Sequence, residues 1–77
     1  MTPVQCRAAR GLLKWTQDDL SSAANISVVA LRNFENEKTS PQRSTLTVIQ
    51  LTLEAAGVVL IPENGGGAGV RLRDRQG

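Results

Sequence analysis

The chain has 77 residues, nine basic and seven acidic, so it allows one small domain, and its net charge of +2 is too weak a bias to indicate nucleic acid by itself. Its one cysteine, Cys6, excludes an intrachain disulfide, and the lack of histidine leaves too few ligands for a structural zinc site. The apolar runs are far shorter than a membrane span and no signal peptide is recognisable, so we expect no membrane partner and a cytoplasmic location.

The first predicted helix begins at Thr2, which caps it, with Pro3 at its first position and Gln5 completing a capping box. Its apolar face comprises Val4, Ala8, Leu12 and Trp15, with Leu13 beside them. A basic stripe at the same spacing comprises Arg7, Arg10 and Lys14. For Arg7 and Lys14 we favour a solvated face over contact with phosphate.

Residues 16–38 predict two short helices joined by a sharp turn. Thr16 is a candidate N-cap with Asp19 as the acid of its capping box, and Ser27 is the candidate N-cap of a second helix that runs to Asn36. Asn25 marks the turn because asparagine tolerates a left-handed backbone. The predicted buried positions are Leu20, Ala23 and Ala24 in the first helix and Ala30, Leu31 and Phe34 in the second. The positions left on the outside of the second helix are Val28, Val29, Arg32, Asn33 and Asn36.

This stretch resembles the helix-turn-helix of the phage-repressor-like (Cro/C1, or XRE) family of DNA-binding proteins. The resemblance covers residues 2 to 58, and the residues that carry it are Thr16, Gln17, Leu20, Ser21, Ile26, Leu31, Phe34, Glu35, Asn36 and Lys38. Asn25 stands where the family usually has the glycine of the turn. Glu37 stands where it usually has the glycine that closes the second helix, so a positive φ there would strain Glu37.

The resemblance implies sequence-specific binding of double-stranded DNA, with the second helix, residues 27–36, in the major groove. It implies base contacts at Ser27, Val28, Val29 and Asn33, and phosphate contacts at Gln17, Asn36, Lys38 and Thr39. By their chemistry, exposed valines suit thymine methyl groups, Asn33 can bond adenine, and Arg32 can reach guanine or a phosphate. The resemblance also implies a partly buried pair between Arg10 and Glu35 that holds the first helix to the recognition helix. The competing interpretation is an ordinary helical hairpin in a small bundle.

A fourth helix is predicted from Leu46 to Ala56, opened by Ser40 and Pro41 or by Ser44, and closed by Gly57. Its first apolar face comprises Leu46, Ile49, Leu53 and Ala56. Its second comprises Val48, Leu51 and Ala55, which can cover the C-terminal tail or meet another subunit. The alternation in residues 45–48 favours a strand, but the helix-like ending at residues 53–57 decides for a helix.

Val58 to Ile61 and Gly69 to Arg73 predict two short strands that pair as a hairpin, with a glycine-rich loop at 63–68 and a frayed end at 74–77. Two strands alone are marginal in water, so these need the fourth helix, the strands of another subunit, or both. We expect a homodimer through residues 46–73. A monomer whose hairpin folds back over its own fourth helix is the alternative.

Nothing in the sequence supports an enzyme or a cofactor. The glycine run at residues 65–69 lacks the Lys-Ser/Thr of a phosphate-binding loop, and Cys6 has no histidine to activate it. The sequence therefore predicts a mainly α, four-helix, lambda-repressor-like domain at residues 1–57, and a β extension at residues 58–77 that serves dimerisation. The expected function is transcriptional regulation, as a repressor or antitoxin. The alternative is a protein–protein interaction module that keeps the helix-turn-helix fold without specific DNA binding.

Overall fold

The computed structural model of the chain describes residues 1–62 and 65–74. Four helices precede a two-stranded antiparallel sheet, in the predicted order. The elements are α1 (Pro3–Leu13), α2 (Gln17–Ala24), α3 (Val28–Glu35), α4 (Arg43–Ala55), β1 (Val58–Ile61) and β2 (Gly69–Leu72). The predictions made for residues 63, 64 and 75–77 fall outside the described part of the chain.

Side-chain caps fix the starts of α1, α2 and α3 as predicted. Thr2 Oγ1 accepts the Gln5 N–H at 3.1 Å, while Gln5 Oε1 accepts the Thr2 N–H at 2.9 Å. Thr16 and Asp19 exchange the same two bonds, and Ser27 Oγ accepts the Ala30 N–H at 3.0 Å. These bonds satisfy backbone donors that the first turn of a helix leaves without partners.

The start of α4 differs from the prediction. Its N-cap is Gln42, whose side chain makes no capping bond. Gln42 keeps an extended backbone, with φ −60° and ψ 152°, so helical geometry begins only at Arg43. Ser40 and Pro41 consequently lie in the loop before the helix, and Ser44 lies inside its first turn.

Three helices end at a non-glycine residue in the left-handed conformation. These residues are Lys14, Asn25 and Glu37, with φ of 58°, 56° and 60°. After α3, the Glu37 N–H bonds the Phe34 carbonyl at 3.0 Å and the Lys38 N–H bonds the Asn33 carbonyl at 2.9 Å, which is a Schellman motif. Glu37 therefore adopts the positive φ for which the family usually has a glycine. Asn25 also adopts a positive φ, as predicted for the turn.

The core lies between the helices and the inner face of the hairpin. It comprises Cys6, Ala9, Leu20, Leu31, Phe34, Ile49, Leu53 and Val58. The prediction holds for Leu20, Leu31 and Phe34, and also for Ala24, but Ala23 and Ala30 are exposed. Ser21 is buried in α2 and Glu35 in α3 instead.

The packed face of α1 is not the apolar face that the sequence marks. Cys6 and Ala9 are fully buried, whereas Val4, Ala8 and Leu12 are exposed. Trp15 follows the left-handed Lys14, leaves the helical spacing and packs half-buried against the core. Polar contacts set this rotation, because Gln5 bonds the hairpin and Arg10 bonds Glu35 of α3.

The two apolar faces of α4 have different surroundings. Ile49 and Leu53 are buried, and Leu46 packs half-buried beside them, as predicted for the first face. Val48, Leu51 and Ala55 of the second face are exposed, and Leu51 keeps 59% of its surface accessible. The second face of α4 is therefore not covered by residues 1–62 or 65–74.

The hairpin pairs β1 with β2 in the register Val58–Leu72, Val59–Arg71, Leu60–Val70 and Ile61–Gly69. Val58, Leu60, Val70 and Leu72 pack against the core, and the hairpin contacts α1 as well as α4. Gln5 joins it to α1, since its Nε2 donates to the Ile61 carbonyl at 2.9 Å and to the Gly69 carbonyl at 3.0 Å. The predicted hairpin is confirmed, and α1 supports it in addition to the predicted α4.

Within residues 1–62 and 65–74, no helix has the length and hydropathy that crossing a membrane requires. The same residues contain no cluster of three or more potential metal ligands.

Candidate nucleic-acid interface

The α2–turn–α3 unit presents one side of α3 to solvent. Leu31, Phe34 and Glu35 are buried on the inner side. On the outer side Val29 keeps 55% of its surface accessible, Arg32 is exposed and Asn33 is half-buried. The left-handed Asn25 and the Ser27 cap set the direction of this helix, because together they end α2 and start α3 within three residues. α3 therefore has the geometry of a helix that can enter a groove.

The remaining predicted site residues flank that outer side. Ser27 and Asn36 are exposed at the two ends of α3, and Val28 is half-buried in its first turn. Lys38 and Thr39 are exposed in the loop that follows α3. Gln17 is half-buried at the start of α2, where its Nε2 donates to Glu35 Oε1 at 2.9 Å. The sequence prediction did not include this internal bond of Gln17.

Glu35 holds the inner side of α3 through four side-chain hydrogen bonds. Arg10 Nη2 donates to Glu35 Oε1 at 2.7 Å, and Arg10 Nε donates to Oε2 at 2.8 Å. Gln17 adds the bond to Oε1, and the Cys6 thiol donates to Oε2 at 3.1 Å. The Arg10–Glu35 pair is confirmed, and its bidentate form is the stronger arrangement for an arginine and a carboxylate. We refer to Cys6, Arg10, Gln17 and Glu35 as the Glu35 cluster.

The charges of the Glu35 cluster are fixed by its hydrogen bonds. Burial raises the pKa of Glu35, but hydrogen bonds from Arg10, Gln17 and Cys6 outweigh burial and hold the pKa below its usual range. The hydrogen bonds to Glu35 raise the pKa of Arg10. Burial, with the adjacent Glu35 carboxylate, raises the pKa of the Cys6 thiol well above its usual range, so the thiol stays protonated as a donor. The cluster is thus a closed structural network and offers no activated nucleophile.

Arg7 is exposed, as the sequence analysis favoured, but its side chain also makes a contact that the sequence did not indicate. Its Nη1 donates to the backbone carbonyl of Glu35, so Arg7 joins α1 to the C-terminal end of α3. Such a carbonyl is a natural acceptor because the last turn of a helix leaves it without an intrahelical partner. The spacing of Arg7 along α1 is the same whether its side chain is solvated or bonded to α3, so the sequence alone could not indicate this contact. Lys14, by contrast, is exposed at the end of α1 as expected.

A shallow cleft of about 320 Å³ lies between α1, α4 and the loop after α3, lined by residues that include Pro3, Phe34, Glu37 and Leu46. Among the described residues that line the cleft, Glu37 is the one charged side chain, and no histidine or cysteine accompanies it. The arrangement lacks the paired groups that general acid–base or nucleophilic catalysis needs.

Comparison with known proteins agrees with this geometry. The helix-turn-helix family model HTH_3 matches residues 7–54, which include α2, α3 and nearly all of α4. No curated protein matches the chain significantly. Because the match spans more than half of the sequence and includes both helices of the motif, the chain belongs to the HTH_3 family of Cro/C1-type helix-turn-helix domains, which are non-enzymatic DNA-binding domains.

Proposed function

We propose that the chain binds specific sites on double-stranded DNA as a homodimer and regulates transcription, as a repressor or antitoxin. The observation that carries the proposal is the division of α3 into two sides. Glu35 anchors the inner side, while Val29, Arg32 and Asn33 remain accessible on the outer side. A helix anchored in this way can present its side chains to base edges in the major groove.

The outer side of α3 supplies the chemistry for reading bases. Asn33 can form a bidentate pair with adenine, and Val28 and Val29 offer apolar contact to thymine methyl groups. Arg32 can reach guanine or a phosphate, and Ser27 lies at the N-terminal end of the helix, where base contacts concentrate. This assignment also accounts for Val29, an apolar side chain that the fold itself leaves in water.

Phosphate contacts position the domain on the duplex. Lys38, Thr39 and Asn36 form an exposed group at the C-terminal end of α3 that can follow the DNA backbone. Gln17 is the fourth candidate. Its side-chain Nε2 is engaged with Glu35, so we assign the phosphate contact to its backbone N–H at the start of α2, where helical donors lack intrahelical partners.

Residues 46–73 are the proposed dimer interface. The exposed face of α4, with Leu51 at its centre, is apolar, and the hairpin has two open edges. The Arg73 N–H bonds the Gly57 carbonyl at 2.7 Å, which makes Gly57 and Arg73 a hydrogen-bonded pair. Because hydrogen-bonded and non-hydrogen-bonded pairs alternate along antiparallel strands, the Val58–Leu72 and Leu60–Val70 pairs are not bonded to each other and point their N–H and C=O groups away from the hairpin. Those groups can pair with the hairpin of a second copy. A two-fold dimer would read half-sites about 34–36 Å apart.

A random-sequence selection followed by gel-shift titration tests the DNA-binding proposal. We expect a selected site with two related half-sites, and Asn33→Ala to lose ~1–3 kcal/mol of binding free energy and relax preference at one position. Lys38→Ala serves as the matched comparison, since loss of a phosphate contact should weaken selected and unrelated DNA to similar extents. If no sequence is enriched and Asn33→Ala leaves affinity unchanged, base reading by α3 is wrong.

Sedimentation velocity tests the dimer separately. We expect a dimer at micromolar concentration, and Leu51→Glu should shift it toward monomer by placing a charge in an apolar interface. Ser22→Glu, at an exposed position of α2, is the control and should leave the dimer intact. A wild-type monomer under these conditions would contradict the assembly without affecting the proposal for α3.

A protein–protein interaction module is the second candidate function. One observation favours it: α1 also leaves apolar side chains exposed, on a surface that neither the proposed DNA contacts nor the proposed dimer uses.

A further inference from the structure

We propose that the outer face of α1 binds an acidic amphipathic helix of another protein, and that it can do so while α3 holds DNA. We call this face the α1 stripe and define it as Val4, Ala8, Gly11 and Leu12. Val4 keeps 59% and Leu12 38% of their surface accessible, and Ala8 and Gly11 are exposed as well.

The α1 stripe is continuous along the helix. At helical geometry its four residues fall within about 100° of the circumference, which is the width of an ordinary packing face. It runs over about two turns, from Val4 to Leu12, and contains no polar side chain. Its periodicity is that of a buried face, yet α1 packs on its own core through Cys6 and Ala9 instead. Accessible apolar stripes of this kind mark interaction surfaces.

Gly11 gives a second and independent reason for a partner. A glycine inside a helix destabilises it relative to alanine, and within the fold nothing requires a glycine here. A Cβ added to Gly11 would meet no atom within 4 Å, and its backbone is helical rather than left-handed. The glycine would be explained if the backbone of a partner helix approached α1 closely at Gly11. Ala8, one turn earlier, has a small side chain and leaves room for the same approach.

The charges beside the stripe indicate an acidic partner. α1 contains no aspartate or glutamate. Arg7 is exposed beside Gly11 in the helical projection and keeps its positive charge although its Nη1 donates to the neutral Glu35 carbonyl. Lys14 is exposed just after the C-terminal end of α1. An apolar helix with glutamates beside its own stripe would therefore be complementary in both shape and charge.

The same charges argue against a second copy of this chain. An antiparallel two-fold contact through the stripe would bring the edge with Arg7 and Lys14 against its own equivalent. The stripe also covers one face of an eleven-residue helix, whereas a stable dimer buries about 800 Å² on each partner. A single docked helix suits a surface of this size.

The stripe is separated from the DNA-binding side. Cys6 and Arg10 reach Glu35 of α3 from the side of α1 that is roughly opposite the stripe in the helical projection. A helix bound on the stripe would consequently leave the outer side of α3 accessible, and a protein partner and DNA could be held together.

The test is a titration of the full chain with a labelled synthetic helix, followed by fluorescence anisotropy. The probe is an amphipathic helical peptide with a leucine stripe flanked by glutamates, and the matched peptide has lysines in place of the glutamates. We expect the glutamate peptide to bind about tenfold more tightly than the lysine peptide, with a difference that shrinks as salt is added.

Three variants locate the binding surface. Ala8→Glu should weaken the glutamate peptide at least about tenfold by adding a like charge within the stripe. Gly11→Ala should weaken it to a smaller extent, by filling the space left for the partner backbone. Ser22→Glu, which places the same charge at an exposed position of α2, should leave peptide binding unchanged. Circular dichroism checks that each variant is folded, and Ala8→Glu should keep its affinity for the selected DNA within about twofold.

Several results would overturn the proposal. Equal binding of the two peptides would remove the preference for an acidic partner, and unchanged binding by Ala8→Glu would remove the stripe. Lack of binding at about 1 mM peptide would exclude a useful affinity for such a helix. A dimer that Ala8→Glu dissociates in sedimentation velocity would make the occupant a second copy, contrary to the charge argument.

Discussion

Replacement of Arg10 by methionine removes the main partner of a carboxylate that cannot reach water. The Glu35 side chain is 1% exposed, whereas that of Arg10 is 18% exposed. After Arg10→Met, Glu35 keeps the bonds from Gln17 and Cys6 and loses both bonds from the guanidinium. The carboxylate then stays buried without its counter-charge or takes up a proton, and either outcome destabilises the fold.

The expected loss is a large share of the total stability. Removal of one partner from a buried pair costs about 3–5 kcal/mol. For 77 residues the whole free energy of unfolding is about 4–12 kcal/mol, at about 0.05–0.15 kcal/mol per residue. Glu35→Met should cost less, about 2 kcal/mol, because the arginine that remains can turn its charge toward solvent. The double variant should recover at least ~2 kcal/mol of the summed losses, because an apolar pair leaves no buried charge.

Urea unfolding followed by circular dichroism at low temperature measures all four proteins of this double-mutant cycle. Circular dichroism is preferable to tryptophan fluorescence because Arg10 Nη1 bonds the backbone carbonyl of Trp15, the one tryptophan. Arg32→Met is the control, since it removes an exposed arginine and should change stability by no more than about 0.5 kcal/mol. If Arg10→Met costs no more than this control, or if the two single losses simply add, the Glu35 cluster does not hold α1 to α3.

Three further predictions concern acid, the hairpin and the α1 stripe. The pKa of Glu35 is lowered on folding, so the stability that its ionised form contributes is present above its usual pKa of about 4.3 and is lost as the pH falls through the lower folded value. In urea titrations, Glu35→Gln should therefore lose less stability than the wild type between about pH 5 and pH 3. Parallel curves for the two proteins would contradict this. Gln5→Ala should speed amide hydrogen exchange in residues 58–61 and 69–72 more than in α2, because it removes both bonds between α1 and the hairpin, and uniform acceleration would argue against such a link. Gly11→Ala should raise the free energy of unfolding by about 0.5–1 kcal/mol in urea, since its methyl group enters open space, and a loss of stability would mean that the glycine serves the fold itself.

The parts of the fold that local chemistry decides were predictable from the sequence. A capping residue three positions from its partner identifies the starts of α1 and α2, and Asn25 marks the turn, because these signals lie within a few residues of one another. The Arg10–Glu35 pair came from the family resemblance, since nothing in the spacing of two residues 25 positions apart indicates contact. The positive φ of Glu37 ran against local preference, and the hydrogen bonds that close α3 stabilise it.

The rotation of α1 could not be predicted because distant residues decide it. Val4, Ala8 and Leu12 form a more apolar face than Cys6 and Ala9, so periodicity favours the wrong side. The bonds that settle the matter run from Gln5 to the hairpin and from Arg10 to α3. Of the side chains predicted to lie outward on α3, three are exposed (Val29, Arg32 and Asn36) and two are half-buried (Val28 and Asn33). The internal bonds of Gln17 and Arg7 were not visible from spacing alone.

Replacement of single thymines by uracil in the selected DNA site tests most directly whether α3 reads bases in the major groove, because the lost methyl group lies only in that groove. At the thymine facing Val29, wild-type binding should weaken by about 0.8 kcal/mol, the value of one buried methyl-sized group, or about fourfold in affinity. Val29→Ala should bind the two sites about equally, since the protein side of the contact is already gone, and Ala8→Glu should respond like the wild type. If no thymine in the site affects wild-type binding, or if Val29→Ala responds as the wild type does, α3 does not occupy the major groove in the proposed way.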